Sequence, residues 1–177
     1  MKLNFTINNT EYAIKLAKRR KRTKPIQGYT NRCKDGKFIT VIDYDTKKVN
    51  WIIDEIEHIQ KEYKLGDFYF FETNKGYHTV CFDKVTLKEY INILNRTSVD
   101  PDYVKIPLKY GERLWTLRHS KKSEMKPRFT FVLNSKTPES RIKSHPHIKF
   151  IEQLHNIQIN YQAVDDQEKM IVSSYKW

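Results

Sequence analysis

One apolar run closes on two carboxylates: Phe38-Ile39-Thr40-Val41-Ile42-Asp43-Tyr44-Asp45. Aromatic and β-branched side chains fill it and Asp35-Gly36 precedes it, which predicts a strand over 37–44. Successive side chains of a strand alternate faces, so residues two apart point the same way with Cα atoms about 7 Å apart. Asp43 and Asp45 would therefore converge. Adjacent carboxylates raise each other's pKa unless a cation lies between them. An all-oxygen site suits Mg²⁺ or Mn²⁺, ions held by one or two carboxylates with water and substrate phosphates completing the shell. In the plainer alternative Asp43 ends the strand and Asp45 or Thr46 caps the helix that follows.

Downstream, Val49, Ile52, Ile53, Ile56 and Ile59 recur at three- and four-residue spacing and Gly66 stands at the exit, the pattern of an amphipathic helix. Strands are predicted at 67–72 and 77–82, joined as a hairpin by Thr73-Asn74-Lys75-Gly76. Thr86 caps a second helix carrying Leu87, Tyr90, Ile91, Ile93 and Leu94, and a fourth strand is predicted at 113–118. The order β-α-β-β-α-β makes the fold class α+β, RNA-recognition-motif-like or ferredoxin-like. The expected architecture is a four-stranded antiparallel sheet with two helices behind it and one open face. Residues 123–177 add a β-α-β-β extension: a strand at 128–133, a helix at 148–154 and a terminal strand pair at 157–161 and 169–175. The expected organisation is one domain, with a basic segment at 1–36, the core at 37–122 and the extension at 123–177.

Thirty-three Lys and Arg against twenty-one Asp and Glu leave a formal charge of +12 in 177 residues, so a polyanion is the expected partner, nucleic acid first. Seven cations fall within 15–24, where Lys18, Arg19, Arg20, Lys21 and Arg22 are the candidate nucleic-acid contacts. Eleven tyrosines supply possible stacking surfaces, although aromatics in strand patterns mostly pack inward. Cys33 and Cys81 read as ordinary reduced thiols. No apolar run approaches a membrane span of about 20 residues, and Met1-Lys2-Leu3-Asn4-Phe5 has no apolar leader core, so a cytoplasmic setting is expected, that of a host for a plasmid or virus gene.

In this topology the first strand is central beside the third, so Asp43, Asp45 and His78 could meet on the open face. Gly76 would allow a close backbone approach to phosphate, and Lys75 and His78 could hold a triphosphate. Val99-Asp100-Pro101-Asp102 offers a third acid, Asp100 or Asp102, for a two-metal centre with ions about 3.5 to 4 Å apart. The same D-P-D is an ordinary turn signature. Arg113, Arg118, His119, Ser120, Lys121 and Lys122 gather possible phosphate contacts on and after the fourth strand.

An apolar strand ending in D-x-D, a G-Y-H opening the third strand, then an acid followed by R-x-x-x-x-R-x-S-K resembles, over about 38–122, the catalytic core of archaeo-eukaryotic primases and primase-polymerases. The resemblance implies a DNA-directed primase or polymerase using Mg²⁺ or Mn²⁺, in the replication of a plasmid, virus or other mobile element. Its partners would be a DNA or RNA template, nucleoside triphosphates, and a helicase or other replication protein. By that likeness Asp43 and Asp45 are the metal pair, His78 contacts the nucleotide, Asp100 or less readily Asp102 is the third acid, and Arg118, Ser120 and Lys121 bind phosphate. Asn74-Lys75 departs from the small hydroxyl residue usual before the glycine.

Two other readings compete. A single-stranded nucleic-acid-binding module on the same fold explains the charge but not a pair of acids on the binding face. An HUH-type rolling-circle nickase would use His145-Pro146-His147 with Tyr161 or Tyr175, preceded by Phe5-Thr6-Ile7-Asn8-Asn9 as its first motif. Proline between the histidines disfavours a central strand there and suits a helix start.

Overall fold

A computed structural model describes the backbone of residues 2–7, 10–15, 26–109, 114–121, 125–137, 140–160, 164–165 and 174–175, and the side chains of 27–105, 107–109, 114–121, 125–137 and 140–160. The cations Lys18, Arg19, Arg20, Lys21 and Arg22 lie outside the described residues. Strands β1 (Lys2–Ile7) and β2 (Thr10–Lys15) form an antiparallel pair, and β3 (Ile26–Thr30) follows. The expected core then appears in order: β4 (Phe38–Tyr44), α1 (Val49–Tyr63), β5 (Phe68–Glu72), β6 (Tyr77–Val85) and α2 (Leu87–Asn95). Next come α3 (Pro101–Lys109), β7 (Thr116–Arg118), β8 (Arg128–Leu133), β9 (Lys143–Ser144), α4 (His145–His155), β10 (Val164–Asp165) and β11 (Ser174–Tyr175).

The elements form for the reasons their side chains give. Helix α1 buries Ile52, Ile56 and Ile59 on one stripe and stops at Lys64, whose left-handed backbone (φ 52°) lets its N–H reach the Gln60 carbonyl. Helix α2 opens on a capping box, with Thr86 accepting from the Glu89 N–H and Glu89 accepting from the Thr86 N–H. Helix α3 is absent from the sequence expectation, which read D-P-D as a turn. Pro101 instead starts a helix, where its missing N–H costs nothing, and Asp100 Oδ1 accepts the Asp102 N–H at 3.0 Å.

The fold is α+β with antiparallel sheets and β-α-β elements, compatible with a ferredoxin-like core. The central strands run β4-β6-β5, all antiparallel, and among the described residues only the short β9–β10 pair is parallel. Two expectations are corrected. The fourth strand, β7, pairs with β3 rather than with β4, and β8 takes the other edge beside β5. Buried Asn31 joins the two sheets: its carbonyl accepts from Ile39 N at 2.8 Å, its N–H donates to the Trp115 carbonyl at 2.9 Å, and its Oδ1 accepts from Trp115 N at 3.2 Å. The strand expected at 157–161 is not one over its described residues 157–160, and of the short strands beyond it β10 joins β9 and β11 joins β3.

The sheet is covered on both faces, so the expected open face is corrected too. Helix α2 lies on one side, where the Tyr90 hydroxyl donates to the Val41 carbonyl at 2.7 Å and the Tyr90 ring stacks on Phe38. Tyr44, on the same side of β4 as Phe38, has its phenol pushed upward by burial and by Glu55 of α1, so α1 shares that side. Helix α4 covers the opposite side, with His155 stacked at 4.3 Å on Phe71 and with Ile148 and Ile151 fully buried. Among the described residues no helix is long and apolar enough to cross a membrane. Cys33 and Cys81 are both free and buried.

Candidate functional site

The β4–β6 register sets Asp43 directly opposite His78, and the β5–β6 register sets Phe71 on the other side of His78. Directly opposed residues of antiparallel strands share a face, so Asp43, His78 and Phe71 form one cross-strand row on the side that α4 covers. His78 Nε2 lies 3.5 Å from Asp43 Oδ1. The imidazole side chain is 5% exposed and the carboxylate 28% exposed, so Asp43 opens to solvent at the edge of a buried row. The expected meeting of Asp43 and His78 is present in the structure.

Asp45, one residue beyond β4, is 46% exposed, and its Oδ2 lies 3.5 Å from Lys75 Nζ in the β5–β6 turn. Neither Asp45 nor Thr46 caps α1, whose N-cap is Lys48 with no side-chain cap bond. The plainer explanation holds in part: Asp43 lies at the end of the strand, and Thr46 Oγ1 accepts the Lys48 N–H at 3.3 Å just before the helix. Asp100 is tied to the same point through the backbone, its N–H donating to the Asp43 carbonyl at 3.1 Å. Of the two third-acid candidates, Asp100 is the one bound to the Asp43 main chain; Asp102 is an exposed residue in the first turn of α3.

Arg118 ends β7 and is half-buried. Burial lowers the pKa of its guanidinium while Asp43 and Asp45 raise it, so both carboxylates act on this cation. Its Nε is buried with no hydrogen-bond partner among the described residues. Ser120, expected to bind phosphate, instead accepts from Gln27 N at 3.1 Å and donates its own N–H to the Gln27 carbonyl at 3.2 Å. Lys121 is exposed.

Gly76 is explained by the chain itself rather than by a phosphate. A Cβ there would run into the Tyr44 carbonyl oxygen and lie 2.6 Å from Thr46 N. The glycine lets the β5–β6 turn press against the backbone on both sides of Asp45.

Two tyrosines that sequence reading passed over belong to the site. The phenols of Tyr29 and Tyr103 are both pushed upward, chiefly by burial and in part by Asp43. Tyr103 sits three residues after Asp100, and recognising Asp-Pro as a helix start would have pointed to it. The alternative histidine pair does not form a strand motif: His145-Pro146-His147 opens α4, and His147 is buried with Nδ1 2.7 Å from Ser144 Oγ and Nε2 2.9 Å from the Thr30 carbonyl.

Asp43 and Asp45 carry the kind of oxygen donor a hard divalent ion takes, and each faces a different basic side chain, His78 and Lys75. They are not a preformed cage: among the described residues no three His, Cys, Asp or Glu side chains converge as a metal-binding group. No family model, curated protein or solved structure matches the chain.

Proposed function

We propose that the chain is a metal-dependent nucleotidyltransferase acting on nucleic acid, a primase or polymerase of the primase-polymerase type. One observation carries the reading: Asp43 faces His78 across the β4–β6 pair, with Asp45 just beyond the end of β4 and Asp100 anchored on the Asp43 carbonyl.

Asp43 and Asp45 would hold Mg²⁺ or Mn²⁺, with Asp100 as the third acid. The bound ion supplies charge stabilisation of the attacking and leaving oxygens during in-line displacement. His78, fixed in the row, is suited to donate a hydrogen bond to a nucleotide phosphate. Lys75, which pairs with Asp45, and Arg118, on which Asp43 and Asp45 both act, would supply cations for the rest of the triphosphate. Their contribution is orientation and electrostatic stabilisation, the main protein terms in phosphoryl transfer.

The test is extension of primed and unprimed templates with labelled nucleotides and Mg²⁺ or Mn²⁺. Asp43→Ala and Asp45→Ala are each expected to lower extension by about 10²-fold or more while leaving template binding near normal. Product on unprimed template identifies a primase, and product on primed template alone identifies a polymerase. Extension retained in either variant would refute the assignment, and binding without any extension by the wild type would leave a nucleic-acid-binding module.

A further inference from the structure

Trp115 is fully buried, whereas Trp51, in the first turn of α1, leaves 48% of its surface exposed. An indole is usually buried against a neighbouring element. Lys48 Nζ lies 5.8 Å from the Trp51 ring centroid, a cation over an aromatic face. Helical side chains lean toward the N-terminus, so this ring covers the turn that leaves the D-x-D strand rather than the acidic turn that follows. Of the two acids one turn on, Glu55 already accepts the Ser98 N–H at 2.9 Å. The chain from Asp45 to Trp51 is a three-residue connection and the start of a helix, which bounds their Cα separation at about 20 Å.

The geometry points to Lys48 and Trp51 as a platform on which a base of single-stranded nucleic acid stacks as the strand passes the carboxylate site. This deepens the proposed function and rests on nucleic acid being its substrate. Each part of the pair has its own chemistry: the indole takes any base face, and the ammonium neutralises a phosphate beside it. A net charge of +12 makes the polyanionic strand the fitting partner for an exposed aromatic with a lysine on its face.

The experiment measures binding of labelled oligothymidylate to the full chain without nucleotide or divalent ion, over a range of salt. Loss of one stacked base lowers affinity by about 5- to 150-fold. Trp51→Ala is expected to fall within that range with its salt slope unchanged, and Trp51→Phe to recover most of the loss. Lys48→Ala is expected to reduce the magnitude of the slope by about 0.7. Affinity within about twofold of wild type in Trp51→Ala, or an equal loss in Trp51→Phe, overturns the platform. Trp51 is exposed, so matching melting temperatures exclude misfolding as the cause. Asp43→Ala, assayed in parallel, separates the two ideas. A binding loss in Trp51→Ala with no extension by the wild type sinks the enzyme and keeps the platform. Extension that depends on Asp43, with unchanged binding in Trp51→Ala, does the reverse.

Discussion

Replacing Gly76 with alanine tests whether this glycine serves the backbone or a bound phosphate. Its added Cβ would collide with the Tyr44 carbonyl oxygen and sit 2.6 Å from Thr46 N and 2.8 Å from Thr46 O. All three are main-chain atoms, so no rotamer change relieves them. The turn must move instead, straining the Thr73 N to Gly76 O bond at 2.9 Å and the Gly76 N to Thr73 Oγ1 bond at 3.1 Å. Overpacking of this kind costs about 1–3 kcal/mol, here at the upper end because nothing flexible gives way. The alanine returns about 0.4–1 kcal/mol by restricting the unfolded chain. A net loss of about 2 kcal/mol corresponds to a fall in Tm of about 4–8 °C for a chain of this size. Thermal unfolding followed by circular dichroism reads it. Extension should fall as well, because Tyr44 and Thr46 flank Asp45. Gly36→Ala is the control: Gly36 has φ +81° with open space around its Cα, so that variant should lose stability while keeping extension. A Gly76→Ala protein with wild-type Tm and weakened nucleotide binding would refute the packing argument and restore the phosphate one.

Two further outcomes follow from buried charge. The His155 imidazole, packed on Phe71, is pushed down to about 4 by burial and then by the charge of His119. Its folded pKa lies below the unfolded value near 6.5, so the unfolded chain binds the proton more readily, and this contribution to stability is whole above about pH 6.5 and is lost as pH falls toward 4. The side chain is partly exposed, so screening reduces the effect to about 1–2 kcal/mol. Urea midpoints at about pH 4.5 and pH 7 should draw together in His155→Phe, and an unchanged gap counts against the assignment. Lys143 Nζ lies 3.3 Å from Asp83 Oδ1 with both side chains nearly fully buried, and Asp83 Oδ2 accepts the Gly66 N–H at 2.6 Å. Lys143→Met strands that carboxylate and should cost about 3–5 kcal/mol, measured by denaturant unfolding; a loss below about 1 kcal/mol would mean that the pair is not what holds β9 against β6.

Local chemistry made much of the fold legible. Ile52, Ile56 and Ile59 announce α1 by their spacing, Thr86 and Glu89 announce the start of α2, and the four-residue turn before Tyr77 fixes the hairpin that sets Phe71 against His78. What failed depends on distant partners. Arg118 lies in a three-residue strand whose neighbour is the segment around Gly28. That segment carries no strand alternation to read, and its glycine is required because a Cβ would lie 2.6 Å from Thr116 Cγ2. The apolar stripe of α4 is visible in Ile148 and Ile151, but nothing local says which sheet face receives it. The same unforeseen β3–β7 pairing gives the Ser120 hydroxyl a structural partner that its motif does not announce, the Gln27 N–H it accepts at 3.1 Å. At the site itself, alternation along β4 and pairing with β6 were enough to bring Asp43 to His78, whereas the role of Asp100 depended on a helix that proline concealed.

The three acids are held with unequal firmness, and that bears on how the site would work. Asp43 is part of a central strand and Asp100 is clamped twice, by its N–H on the Asp43 carbonyl and by Oδ1 on the Asp102 N–H. Asp45 lies beyond the last strand residue and pairs with a lysine whose side chain is 62% exposed. Groups carried on rigid elements keep a reactive geometry better than groups on loops, so in the proposed site Asp43 and Asp100 would be the fixed frame and Asp45 the adjustable ligand. Lys75 pairs with Asp45, Arg118 lies in the field of Asp43 and Asp45, and the Asp100 carboxylate sits at the N-terminus of α3. If the proposed function holds, a triphosphate would add more negative charge than these two cations offset, so its binding should strengthen when a divalent ion enters with it.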